Sequence, residues 1–220
     1  MQLNTVIFDM DGVLIDSEPY WQEAGTEILL HYNISLTDLQ YHSTTGLRTR
    51  EWIDWWFSHF GIDSQFAKEA ESAIVNKAIE KIRDHATELE GVQYIFDFFK
   101  KRKFKIGLAT SSPRDLIEVV AEKLHIKNNL DGISSAEELL HSKPHPEVYL
   151  NCAAELGSSP LQCICFEDSF NGLIAAKAAR MRCVAIPAMS QRTDPKWAFA
   201  DLKLNSLLEF NDSLLKSLDE

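Results

Sequence analysis

The chain has 220 residues, enough for one large domain or for one domain carrying a smaller insertion, and 45% of them are apolar, ample for a core. Its 22 basic against 33 acidic residues leave a net charge of −11, which excludes nucleic acid and anionic membrane surfaces as general partners but permits a local basic pocket for an anionic substrate. No leader segment is expected ahead of the first strand, and no apolar run approaches membrane-spanning length. Cys152, Cys163, Cys165 and Cys183 lack CxxC spacing and sit among apolar residues, so they read as buried thiols of a reducing, hence cytoplasmic, compartment.

The first apolar run, Val6-Ile7-Phe8, predicts a short buried strand, and Asp9-Met10-Asp11-Gly12 closes it. Strand side chains alternate faces, so Asp9 and Asp11 converge at the strand's end while Met10 turns inward. Two converging anions repel unless a proton or a cation lies between them, which points to a hard-cation site with a carboxylate available for chemistry. Taken alone, the same four residues also make an ordinary polar turn. Helical periodicity follows over 17–32, opened by Ser17-Glu18-Pro19, and over 47–60 and 64–85, with Gly61 between the last two. Strands are then expected at 104–109, 132–135, 163–167 and 183–187. Helices are expected from Ser112 (as N-cap, with Pro113 at N1), over 146–156 and over 169–179, and one or two short helices in the tail from Asn205. The alternation predicts an α/β fold, a parallel sheet with helices on both faces. The helical stretch interrupts it, so 17–85 is expected as a helical insertion in a core made of 1–16 and 86–220.

Three further polar clusters fall at or just beyond the strand ends, where open α/β sheets bind ligands. Thr110-Ser111-Ser112 enters a helix, where hydroxyls and backbone N–H groups hold phosphate; Ser112 is expected to cap, leaving Thr110 and Ser111 for a ligand. Lys143 precedes Pro144-His145-Pro146, a stiff backbone that fixes where the lysine points. Glu167-Asp168 closes the strand at 163–167 and supplies further carboxylates for a divalent cation, although an acid at Asp168 is also an ordinary helix-start residue. Each cluster is weak singly; their order along consecutive strand ends makes them strong together.

In FDMDGVLIDSEP, LATSSP, SKPHPEVYL and FEDSFNG the chain resembles, over essentially its whole length, the haloacid dehalogenase-like hydrolase superfamily, and within it the branch of β-phosphoglucomutase and the sugar phosphatases. The resemblance implies a Rossmann-like core with a small helical cap inserted after the first motif. It implies Asp9 as nucleophile and Asp11 as general acid/base, with Thr110 and Lys143 holding the transferring phosphoryl group. It further implies a magnesium ion on Asp9, the backbone carbonyl of Asp11 and Asp168, with Glu167 in support. An aspartate at position 11 argues against dehalogenation, because halide needs no proton to leave. The resembling mutase has a cap histidine where Trp21 stands here, and DSEPYW with Gly46-Leu47-Arg48 is more similar to the branch acting on 2-deoxyglucose-6-phosphate and hexitol phosphates. The expected activity is therefore a sugar- or polyol-phosphate monophosphatase, with a β-phosphoglucomutase-type isomerase as alternative and a non-catalytic phospho-acceptor or ligand-binding relative as the second. Specificity is expected in the cap: Arg48 for a substrate hydroxyl or phosphate, Trp21 and Trp52 as apolar walls. The sequence gives no sign of a protein partner.

Overall fold

Six parallel strands form one sheet in a computed structural model of the chain, which describes residues 2–219, Glu138 by its backbone alone. They are β1 (Thr5–Phe8), β2 (Lys105–Thr110), β3 (Gly132–Ser135), β4 (Cys163–Glu167), β5 (Arg182–Ala185) and β6 (Leu202–Lys203), in the order β3-β2-β1-β4-β5-β6. The central strands are buried almost throughout because both faces are covered. Val6, Phe8, Leu108, Ile164 and Phe166 enter one core, and Ile7, Cys163, Cys165 and Cys183 the other. Phe8 lies between Phe96 and Phe166, ring centroids 5.1 Å from each, a packing worth about 0.5–1.5 kcal/mol per pair beyond buried area. All four cysteines are buried and free.

Helices α1 (Glu18–Leu30), α2 (Asp38–Ser43), α3 (Thr49–Phe60) and α4 (Ala67–His85) follow β1 as the cap, with α1 and α3 packed on α4. The remaining helices, α5 (Val92–Lys101), α6 (Arg114–Lys123), α7 (Glu147–Glu155), α8 (Phe170–Ala178) and α9 (Asp212–Asp219), belong with the sheet. None of the described helices is long and apolar enough to cross a membrane.

Three details depart from the expected elements. Strand β2 runs one residue later, which puts Thr110 on the strand itself. Helix α6 starts at Arg114 with Pro113 as its N-cap, in extended backbone at φ −68° and ψ 157°, so Ser112 does not cap it. Helix α5 and strand β6 carry no start or stop signal that the sequence pattern announces. Gly91 leads into α5, and its Val92–Phe99 run is aromatic and β-branched, the composition of a strand.

The order of the strands fixes the site. From β1 the chain moves outward through β2 to β3, then returns to the other side of β1 at β4. The crevice beyond the carboxyl ends of β1 and β4 is therefore the switch point where open α/β sheets take ligands. Phe8 is in register with Leu108 and Phe166, and Asp9 N–H donates to the Phe166 carbonyl at 3.0 Å. Asp9 and Asp11, the end of β2, and Glu167-Asp168 thus arrive at one edge.

Candidate active site

Asp9 is the first residue past β1 and is only 5% exposed. Lys143 Nζ lies 2.8 Å from its Oδ1, close enough for an ion pair, but at an angle that leaves this buried oxygen without a hydrogen bond. The lysine's other partner is Glu167, 2.6 Å from Nζ. Glu167 also accepts from the Tyr149 hydroxyl and from the backbone N–H and hydroxyl of Ser169, at 3.2 and 3.1 Å. Both Glu167 oxygens are therefore taken by the chain. Gly172 permits this arrangement, since a Cβ there would stand 1.8 Å from Glu167 Oε1.

Charge in this nest is unbalanced. Burial above all pushes Asp9 up to about 7, with Glu167 and Asp11 adding to the push and Lys143 opposing it. Burial, then Glu18, Glu167 and Asp9, raise Asp168 well above the carboxylate range. Burial pulls Lys143 down, but Asp9 and Glu167 outweigh it and hold the ammonium above the ordinary lysine range. Asp9, Glu167 and Asp168 each offer an oxygen, all within 4.8 Å of one another. The close approach depends on Gly12, at φ +72°, where a Cβ would stand 2.0 Å from Asp168 Oδ2. A buried, under-neutralised set of oxygen donors is what a hard divalent cation fits. Its free donors are Asp9 and Asp168.

Asp11 is held differently. Its Oδ1 accepts from the Ser17 hydroxyl at 2.6 Å and the Trp21 indole N–H at 3.0 Å; its Oδ2 accepts from the Ser112 hydroxyl at 2.6 Å and, more weakly, from Thr110 at 3.4 Å. Sequence reasoning missed three of these roles. Ser17 stands at the N-cap of α1 but its side chain bonds no helix N–H. Ser112, expected as a cap, serves Asp11 instead. Trp21 offers its ring to the pocket wall and its N–H to the acid.

The pocket above these groups lies between the sheet edge and the cap, with polar and apolar side chains converging on it. Asp9, Asp11, Thr110, Ser111, Lys143 and Asp168 line its floor, and Glu18, Trp21, Tyr41, Thr44, Thr45 and Trp52 its cap side. Thr110 is buried, its hydroxyl accepting from Ser112 N–H at 3.1 Å. The Ser111 hydroxyl donates to the Gly46 carbonyl of the cap at 2.9 Å. Glu167 lies behind Lys143, outside the lining. Arg48, expected to reach substrate, is not brought to the pocket: its Nη1 donates to the carbonyls of Leu139 at 2.8 Å and Ala136 at 3.2 Å, and its Nη2 pairs with Glu51 at 3.1 Å. His145 stays in the turn, its N–H donating to the Ser142 carbonyl.

The sequence profile of the haloacid dehalogenase-like hydrolases matches residues 6–186. The chain belongs to this family. It is 38% identical to hexitol phosphatase B of Escherichia coli (strain K12) over 209 residues, covering 94% of each chain. It is 30% identical to the fructose-1-phosphate phosphatase YqaB of the same organism over 185 residues, 82% of this chain and 95% of that one. Among solved structures it superposes on β-phosphoglucomutase of Clostridium difficile with a TM-score of 0.86 at 23% identity, covering 99% and 97% of the two chains. It superposes on CbbY of Rhodobacter sphaeroides in complex with phosphate with a TM-score of 0.86 at 22% identity, covering 98% and 100%. At these identities the structures speak for the fold, which is the α/β, Rossmann-like fold of this family. Both of these Escherichia coli relatives are named as phosphatases, and the chain is a haloacid dehalogenase-like phosphatase.

Proposed function

We propose that this enzyme hydrolyses the phosphate monoester of a small sugar or polyol, of the hexitol phosphate or 2-deoxyglucose-6-phosphate type, by way of an aspartyl-phosphate on Asp9. The observation that carries this reading is the pairing of Asp9 with Lys143 at the floor of a pocket roofed by the cap, two residues from a second carboxylate that is held by neutral donors alone. The core is taken as 1–16 and 86–220 and the cap as 17–85. The four buried thiols support a cytoplasmic location.

An Asp9 oxygen attacks phosphorus; a phosphorus–oxygen bond forms as the bond to the sugar oxygen breaks. Asp11 delivers the proton that the departing alkoxide needs, then takes one from the water that attacks the aspartyl-phosphate, releasing phosphate and restoring Asp9. Lys143 offsets the repulsion between a carboxylate and a phosphate dianion, and Thr110 with Ser111 offers hydroxyls to the phosphate oxygens. Asp9 and Asp168, with the Asp11 backbone carbonyl, would hold Mg2+, while Glu167 supports them by fixing Lys143. The ion supplies the remaining positive charge for phosphoryl transfer.

A magnesium-dependent screen for phosphate release from hexitol phosphates, 2-deoxyglucose-6-phosphate and fructose-1-phosphate tests this reading. Release above background from a polyol or sugar monophosphate is expected. β-Glucose 1-phosphate supplied with a bisphosphate primer should yield free phosphate and no isomer; isomer without phosphate release would replace the hydrolase by a mutase.

A further inference from the structure

The two ends of the pocket differ in charge. On the floor, Asp9, Asp11 and Asp168 face one cation, Lys143, which is the sole cationic side chain among the described residues of the lining. Toward the cap the lining turns to Glu18, Tyr41, Thr44, Thr45, Thr49 and Trp52, three of them threonines and one an acid. Arg48, the basic residue between lining residues Leu47 and Thr49, has its guanidinium on core-loop carbonyls and Glu51.

Two polar groups at this end have no partner in the chain. The Glu18 carboxyl makes no hydrogen bond or ion pair with any described residue. Thr45 Oγ1 is buried and makes no hydrogen bond either. Polar groups left open inside a site are costly unless a ligand completes them. Burial, then Asp11 and Asp9, disfavour a charge on Glu18, and any second anion brought to this end meets the same field.

We propose that Glu18 and Thr45 form a hydroxyl-reading end of the pocket, which receives the uncharged, hydroxylated tail of a monophosphate ester and rejects a tail bearing a second phosphate or a carboxylate. The proposal rests on the phosphatase reading above. With the phosphate held at Lys143, the tail of the ester must point toward the cap. Its hydroxyls there complete the open carboxyl and threonine. A site built to bond a hydroxyl discriminates strongly against an analogue that lacks one, because its own groups then stay unpaired. A second phosphate finds no cation there to offset it and adds to the charge of the floor carboxylates.

The test compares kcat/KM for a hexitol monophosphate, a hexose 1,6-bisphosphate and hexyl phosphate, which has the length without the hydroxyls. The wild type should prefer the hexitol ester to both by about 100-fold or more. Glu18→Lys, which supplies the missing cation, should lower the preference over the bisphosphate by about tenfold, mainly through KM, and Thr45→Val should lower the preference over hexyl phosphate by about tenfold. A Glu18→Lys enzyme whose ratios stay within twofold of wild type, or a wild type that takes the bisphosphate as readily, overturns the proposal. If Glu18→Lys does not fold, Thr45→Val and the wild-type ratios decide. A wild type that releases phosphate from none of the three esters defeats the phosphatase reading itself, a result distinct from an active enzyme with unaltered ratios.

Discussion

Asp9 and Asp11 are chemically identical side chains two residues apart, and their surroundings separate their tasks. Asp9 is paired with a buried ammonium and keeps one oxygen without a hydrogen bond, as a nucleophile requires. Asp11 is gripped by hydroxyls and an indole, neutral groups that fix its orientation without adding charge. Asp9→Asn should lower kcat by about 10³-fold or more while the fold is kept, since the amide is isosteric but a poor nucleophile; phosphate release and circular dichroism on the same preparation check it. Trp21→Phe removes one donor to the Asp11 carboxylate and leaves the ring in place. Because bonds to charged groups contribute about 1.5–3 kcal/mol, kcat should fall roughly tenfold or more with little change in KM. A drop confined to KM would make Trp21 a wall and nothing else. The acids were legible in the sequence because they recur in order at the ends of apolar strands, and Lys143 because the prolines beside it stiffen its loop. Ser17, Trp21 and Ser112 were not. Their helix-start chemistry and aromatic character fit ordinary local roles, and only the fold shows that their donors meet at Asp11.

At the level of elements, the loop between α2 and α3, with the first turn of α3, docks the cap onto three core segments. The Thr45 carbonyl accepts from Asn171 Nδ2 at 2.8 Å, the Gly46 carbonyl accepts from Ser111, and Arg48 and Glu51 engage the segment 136–142, where the Ser142 hydroxyl donates to Glu51. Arg48 is thus a tie between cap and core, and its exposure is low enough for the contacts to count. Arg48→Ala should loosen this docking. Amide exchange over 44–51 and 136–142 is expected to rise several-fold while the central strands stay protected. Unchanged exchange in both segments would mean that Arg48 is not a tie. The alternation of strands and helices, and the helical insertion, were readable from periodicity. Register was less so: a one-residue shift of β2 and the move of the α6 cap to Pro113 follow from tertiary contacts at Thr110 and Ser112. Helix α5 escaped because its strand-like composition is overridden by packing, its Phe96 and Phe99 faces filling the core beneath Phe8.

For the whole molecule, the acids at one sheet edge set how stability varies with pH. Asp9 is pushed up to about 7 and Glu18 to about 8, and Asp168 is raised as well, each mainly by burial. A carboxyl whose folded pKa exceeds its unfolded value binds protons more tightly in the native state. Between the two values the folded protein holds more protons than the unfolded chain, so its stability declines as pH rises through that window. Lys143 is raised too, but its window lies above pH 10 and leaves this range flat. In EDTA the protein should therefore melt at a lower temperature at pH 8 than at pH 5.5, and Asp9→Asn should flatten the slope. A divalent cation that binds the native state alone stabilises it by about 2.7 kcal/mol at a hundredfold excess over Kd, roughly 5–10 °C in Tm for a chain of this size. Protons and metal compete for the same oxygens, so the gain from Mg2+ should be larger at pH 8 than at pH 5.5. Calorimetry at both pH values, with EDTA and with Mg2+, reads both effects; a metal-free Tm that climbs across this window, or a Mg2+ shift that shrinks with pH, would mean that these carboxyls are neither proton-holding nor metal-binding in the folded chain.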